Sequence, residues 1–141
     1  MSRICWDSML LIYLLEGHPT FRPRANVLLA RSRTRGDSLF TTHLAVGELM
    51  AGVERFDNPL KAAAVRETLH EIGFQFLPFG AAAVRPFSLL RAREKLKIAD
   101  SIHLACAASA GIDLFLTGDQ QLTKLDVPGI QFIADFNTPI L

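Results

Sequence analysis

The stretch Arg3-Ile4-Cys5-Trp6-Asp7-Ser8-Met9-Leu10-Leu11-Ile12-Tyr13-Leu14-Leu15-Glu16-Gly17 decides the fold class. Its first half is a short apolar strand that stops on an aspartate. Its second half is apolar at 9, 10, 11, 12, 14 and 15, which predicts a short, largely buried helix closed by Gly17 and turned by His18-Pro19. A strand running directly into a helix is the opening of a βα unit, and the rest of the chain repeats it. Pro23 opens a second helix that runs to about Arg35, with Val27, Leu28 and Leu29 inward and Gly36 as its stop. Ser38–Thr41 is the next strand. Thr42 then caps a third helix with Ala45, Val46, Leu49, Met50 and Val53 at helical spacing. A fourth helix starts at Asn58-Pro59, with Leu60, Ala64, Leu69 and Ile72 on its apolar side and Gly73 at its end. Phe74–Pro78 is a third strand. Gly80 to about Lys97 is a fifth helix disturbed at Pro86, and Ile98–Ala110 is a sixth, stopped by Gly111. Asp113–Thr117 and Ile130–Ile133 are the fourth and fifth strands. Alternating strands and helices predict an α/β fold: a parallel five-stranded sheet covered by helices on both faces.

Composition agrees with one packed domain spanning 1–141. Of the 141 residues 50% are hydrophobic and 21% charged, with a mean hydropathy of +0.25, which excludes a disordered chain. The longest apolar runs fall well short of the ~20 residues that span a bilayer. A secretory leader would not carry Asp7, so the cytoplasm is the expected location and no membrane partner is expected. Cys5 and Cys106 each sit in an apolar run and are expected to be buried, reduced thiols. The net charge of +1 is not that of a strongly basic nucleic-acid binder. Positive charge is nevertheless concentrated in two stretches, Arg22–Arg35 and Arg85–Lys97, and taken alone these are solvated helix faces.

Four acids stand out. Asp7 ends the first strand, and Asp119 lies two residues past the fourth, in Leu116-Thr117-Gly118-Asp119. Glu48 interrupts the apolar pattern of the third helix. Asp100 lies at the amino end of another apolar helix, in Ile98-Ala99-Asp100-Ser101-Ile102. Each has an ordinary explanation: Asp7 as a helix cap, Asp119 as a turn residue, Asp100 as a complement to a helix dipole, Glu48 as part of an exposed stripe. Together they suggest more. The two strand-end acids share one sheet edge, and the two helix acids can face it. Clustered carboxylates repel and raise one another's pKa unless a cation intervenes. Mg²⁺ or Mn²⁺ prefers such oxygen ligands, and the chemistry it brings suits hydrolysis of phosphodiesters. Ser8, Thr117 and Ser101 lie beside the acids and can orient the carboxylates or hold waters there, or serve as caps and turns. His103, one turn after Asp100, is expected to pack or to edge the site without ligating. Asp113, Asp126 and Asp135 are expected in turns and on the surface.

The ordered segments Asp7-Ser8, Thr42-x5-Glu48-x3-Gly52, Ile98-Ala99-Asp100-Ser101-Ile102-His103-Leu104-Ala105 and Phe115-Leu116-Thr117-Gly118-Asp119 resemble PIN domains, and within them the VapC-type toxins of toxin–antitoxin pairs. The resemblance runs from about Arg3 to Ile133. It implies an α/β/α sandwich, catalytic and metal-binding roles for Asp7, Glu48, Asp100 and Asp119 with Mg²⁺ or Mn²⁺, and endonucleolytic cleavage of RNA. It also implies a homodimer and a cognate antitoxin whose peptide covers the acidic pocket. Under it, Arg31, Arg91 and Arg93 become RNA-backbone contacts. The family often has Asn where Gly118 stands, a departure that bears on the local turn. The alternative within the same fold is a non-catalytic RNA- or protein-binding module, which an incomplete acidic set would favour. A dehalogenase-like phosphotransferase needs a second Asp where Met9 stands, and no GxGxxG or GK[ST] loop supports a nucleotide-binding domain.

Overall fold

A computed structural model of the chain describes residues 1–55 and 59–137, without the side chains of residues 59 and 60. Its elements in chain order are β1 (Arg3–Trp6), α1 (Ser8–Glu16), α2 (Arg22–Arg35), β2 (Ser38–Thr42), α3 (His43–Glu54), α4 (Pro59–Ile72), β3 (Phe74–Leu77), α5 (Ala81–Arg93), α6 (Ile98–Ser109), β4 (Leu114–Thr117) and β5 (Phe132–Asp135). All four strand pairings are parallel, and the sheet order is β3-β2-β1-β4-β5. The chain therefore builds outward from β1 in one direction, through β2 to β3, and then returns to lay β4 and β5 on the other side of β1.

Side chains alternate across the sheet and divide the core in two. Ile4, Trp6, Leu39, Phe74, Leu114 and Leu116 pack with Leu10, Leu11, Leu28, Val46, Leu49, Val65 and Leu69 of α1–α4. Cys5, Phe40 and Phe115 pack on the opposite face with Ala83, Leu90, Leu104, Ala105 and Cys106 of α5 and α6. This is the expected three-layer α/β/α arrangement. Both cysteines are free and buried in the second core, as expected. Among the described residues no helix is long and apolar enough to cross a membrane.

Several expectations about local detail were wrong. Val27 is 40% exposed. Three consecutive helical residues span about 200° of arc and cannot all face inward. The buried stripe of α2 is instead Ala25, Leu28, Leu29 and Ser32. Likewise Ala64 faces outward, and Ala62, Val65 and Leu69 form the inner face of α4. Asn58 and the Leu60 side chain lie outside the described residues. Helix α5 runs through Pro86 but stops at Arg93, not near Lys97, because Glu94 is extended (φ −116°, ψ 146°). The connection to α6 is fastened by Arg91, whose Nη1 donates to Leu96 O (2.7 Å). Strand β5 lies two residues later than the Ile130–Ile133 expectation. Ile130 is spent on a turn, its N–H bonding to Val127 O, before the ladder to β4 begins at Phe132.

Candidate functional site

The strand order reverses between β1 and β4, the place where open parallel sheets bind ligands outside their carboxyl ends. Asp7 follows β1 there. Its backbone N–H still bonds Leu116 O of β4 (3.0 Å), while its carboxylate Oδ1 accepts from Ser8 N (2.7 Å) as the N-cap of α1. The expected cap and the expected strand-end acid are thus one residue in two roles. Thr117, at the end of β4, donates from Oγ1 to Asp7 Oδ2 (2.8 Å) and accepts from Asp119 N (3.0 Å). One buried hydroxyl therefore locks two acids from opposite ends of the chain. Ser8 Oγ lies 3.5 Å from Asp7 Oδ1. Asp119 also makes the turn bond expected of it, accepting from Gln121 N at 2.9 Å, and its side chain lies at an exposed position.

Asp100 stands on the first turn of α6, a helix buried from Ser101 to Ala108 apart from Ile102. Its carboxyl is pushed above the usual range by burial first, then by the charges of Asp7 and Asp119; His103 and Lys97 pull it back. That pattern brings three of the four acids, from β1, α6 and the loop after β4, into one electrostatic cluster. Glu48 is absent from the charges that act on Asp100. It reaches the cluster through His103, whose Nε2 lies 2.8 Å from Glu48 Oε1 and whose Nδ1 lies 2.7 Å from Thr42 Oγ1. His103 is 3% exposed, against 39% for the Glu48 side chain. Sequence spacing placed His103 one turn from Asp100 but gave no sign of this bridge, because the partners come from two other elements.

Other expectations fared unevenly. Ser101 is buried but donates to Lys97 O (3.2 Å) within its own helix, so it orients no acid. Asp135, expected in a surface turn, is 9% exposed at the end of β5. It accepts from Gln120 Nε2 (2.5 Å) and Asn137 N (2.9 Å) and so ties down the loop that carries Asp119. Arg31 lies on α2, whereas Arg91 and Arg93 lie on α5 in the opposite layer, so the three do not form one basic face. Arg91 is already engaged with Leu96 O.

The donor set fits a hard divalent cation by chemistry: carboxylate oxygens predominate, and the Asp100 carboxyl is pushed up by burial and, after it, by the charges of Asp7 and Asp119. Among the described residues, no three His, Cys, Asp or Glu side chains are already gathered into a group that could hold a metal ion. A separate groove of about 520 Å³, lined by Leu15, Leu49, Val53, Ala64, Val65 and Thr68 among others, contains none of the four acids.

Comparison with known proteins agrees with this architecture. No curated protein sequence matches the chain. Among solved structures, VapBC2 from Rickettsia felis, bound to a DNA fragment from its promoter, is similar with a TM-score of 0.76 at 12% identity, over 94% of this chain and 98% of that one. DNA-bound VapBC from Salmonella typhimurium is similar with a TM-score of 0.70 at 21% identity, over 96% and 99%. VapC20 from Mycobacterium tuberculosis, a Sarcin-Ricin loop cleaving toxin, is similar with a TM-score of 0.67 at 15% identity, over 87% and 96%. At these identities the likeness is one of fold. The PIN domain profile, however, matches the sequence itself over residues 4–128, and the chain belongs to the PIN domain family.

Proposed function

We propose that the chain is a divalent-metal-dependent endoribonuclease, the toxin of a toxin–antitoxin pair, acting in the cytoplasm as a homodimer restrained by a cognate antitoxin. The observation that carries this reading is the gathering of three acids at the β1/β4 switch point, where Asp7 and Asp119 share the Thr117 hydroxyl and their charges add to burial in pushing up the Asp100 carboxyl. A fold gains nothing from holding like charges together there, and a cation-dependent reaction does. The similar VapBC complexes support the antitoxin, and VapC20 supports RNA as the substrate.

Asp7, Asp100 and Asp119 would hold Mg²⁺ or Mn²⁺, with Glu48 completing the set. The chemistry such an ion supplies is a more acidic bound water and neutralised charge on the phosphate oxygens. The chain's own residues do the positioning. Ser8 N–H and the Thr117 hydroxyl fix both oxygens of Asp7 in one orientation. Thr117 also sets the backbone from which Asp119 projects, and the Asp135–Gln120 bond steadies the same loop. The Thr117 hydroxyl is engaged by both Asp7 and Asp119, an arrangement that suits attack by water.

The test is cleavage of mixed RNA by purified protein freed of any co-purified antitoxin, with Mg²⁺ or Mn²⁺, with EDTA, and with Asp100→Asn alongside. Cleavage that requires metal and disappears in the variant is expected. Folded, metal-binding protein that binds RNA without cutting it would replace the nuclease by a non-catalytic binding module.

A further inference from the structure

Glu48 differs from the other three acids. Asp7 and Asp119 are anchored at strand ends and Asp100 on a buried helix turn, whereas Glu48 has a long side chain on α3 at an exposed position. Left to itself it would sample many rotamers, and each productive encounter with a cation would have to freeze them. The structure supplies a constraint. His103 on α6 reaches across to α3 and touches both its first residue boundary, at Thr42, and its middle, at Glu48.

Proton accounting gives this bridge a direction. Thr42 Oγ1 accepts from Ala45 N (3.0 Å) as the N-cap of α3. The hydroxyl keeps its proton and one lone pair, so it can pair with His103 Nδ1 whichever of the two is the donor. A carboxylate has no proton to give, so Nε2 must carry one and donate it to Glu48 Oε1. A ring that carries a proton on Nε2 satisfies all three groups at once, whereas a proton on Nδ1 alone would set a lone pair against a carboxylate. We propose that His103 is a positioning residue: held by the Thr42 cap, it aims the Glu48 carboxylate so that the acid from α3 meets a cation bound by the other three. The proposal rests on the metal-dependent reading of the acidic cluster. It assigns a task to a buried polar side chain that the cluster itself does not require.

The two amide substitutions separate positioning from packing. In His103→Gln the amide can take the place of Nε2 and still donate to Glu48. In His103→Asn it can replace only Nδ1, so the contact with Thr42 survives and that with Glu48 is lost. Three readouts are needed: Mn²⁺ binding by calorimetry, thermal melting, and the ¹⁵N spectrum of the histidine rings in metal-free wild-type protein. The expected results are a proton on Nε2 of His103, a Mn²⁺ affinity close to wild type in His103→Gln, and a loss of about tenfold or more in His103→Asn. Thr42→Val, which leaves the ring in place but removes its fixed partner, should also weaken Mn²⁺ binding, and Thr42→Ser should restore it. This pair serves if His103→Asn does not fold. An Nε2 without a proton, or equal Mn²⁺ affinity in the two amide variants, would overturn the proposal. Wild-type protein that takes up no Mn²⁺ overturns both this proposal and the nuclease reading. Wild-type protein that binds Mn²⁺ but cuts no RNA overturns the nuclease reading alone.

Discussion

Asp100 shows how a single residue trades stability for a site. Its folded-state carboxyl is raised, so the native chain holds that proton more tightly than the unfolded chain does. Stability from this group is therefore fully present below the ordinary carboxylate range and is lost as pH rises through the raised value. Asp100 also lies in the first turn of α6, where a negative charge is favourable. The net shift is still upward, so burial and repulsion outweigh that benefit. In metal-free buffer Asp100→Asn should melt higher than wild type at neutral pH, and the advantage should vanish in acid; a lower melting temperature at neutral pH would make Asp100 a structural acid. Thr117 behaves in the opposite way. Thr117→Val leaves a buried oxygen of Asp7 and the N–H of Asp119 without their partner, which should cost about 1–3 kcal/mol in denaturant titrations, whereas Thr117→Ser should recover most of it. Gly118 is under no such constraint. A Cβ there would meet the Phe136 ring at an ordinary 3.5 Å, and its φ lies outside the left-handed region. Gly118→Asn should therefore fold with an unchanged melting temperature, which means the turn before Asp119 does not depend on glycine.

At the scale of elements, legibility followed the range of the signal. Strand-to-helix order, the caps at Asp7 and Thr42 and the stop at Gly36 are written within a few neighbouring residues, and each is where the sequence put it. Arg93, Val27, Ala64 and the start of β5 were misplaced, because helix ends and inward faces depend on what packs against them. The four acids were legible as types at strand ends and helix turns. The Thr42–His103–Glu48 bridge and the Asp135–Gln120 tie were not, since each joins segments that only the folded sheet brings together. Helix α6 depends on one such distant contact. Gly129 sits at φ +99°, and a Cβ there would lie 2.5 Å from Ala108 O. Gly129→Ala must therefore displace either its own loop or the carboxyl half of the helix that carries Asp100 and His103. A loss of about 1–3 kcal/mol is expected from the strained backbone alone, with weakened Mn²⁺ binding despite the distance from the acids; an unchanged melting curve would show that the loop, not the helix, gives way.

For the whole molecule, the sheet order is what turns scattered acids into a site. Metal that binds only the folded chain stabilises it by mass action, by about 2.7 kcal/mol when present at about a hundred times its Kd. Mn²⁺ should accordingly raise the melting temperature of wild-type protein by several degrees and leave Asp7→Asn nearly unmoved. No response in the wild type at millimolar metal would count against a preformed site. The same sheet order also sets when the site can exist. β1 is made before every other strand, yet its neighbour at the switch point is β4, and Thr117 meets Asp7 across 110 positions of sequence. A nascent chain carries Asp7, then Glu48, then Asp100 out of the ribosome with no cleft to gather them, and the cleft forms only after residue 119 has emerged. On the proposed reading, the chain cannot cut RNA until the segment that carries Asp119 has been made, because the order of synthesis acts as a delay on the catalyst.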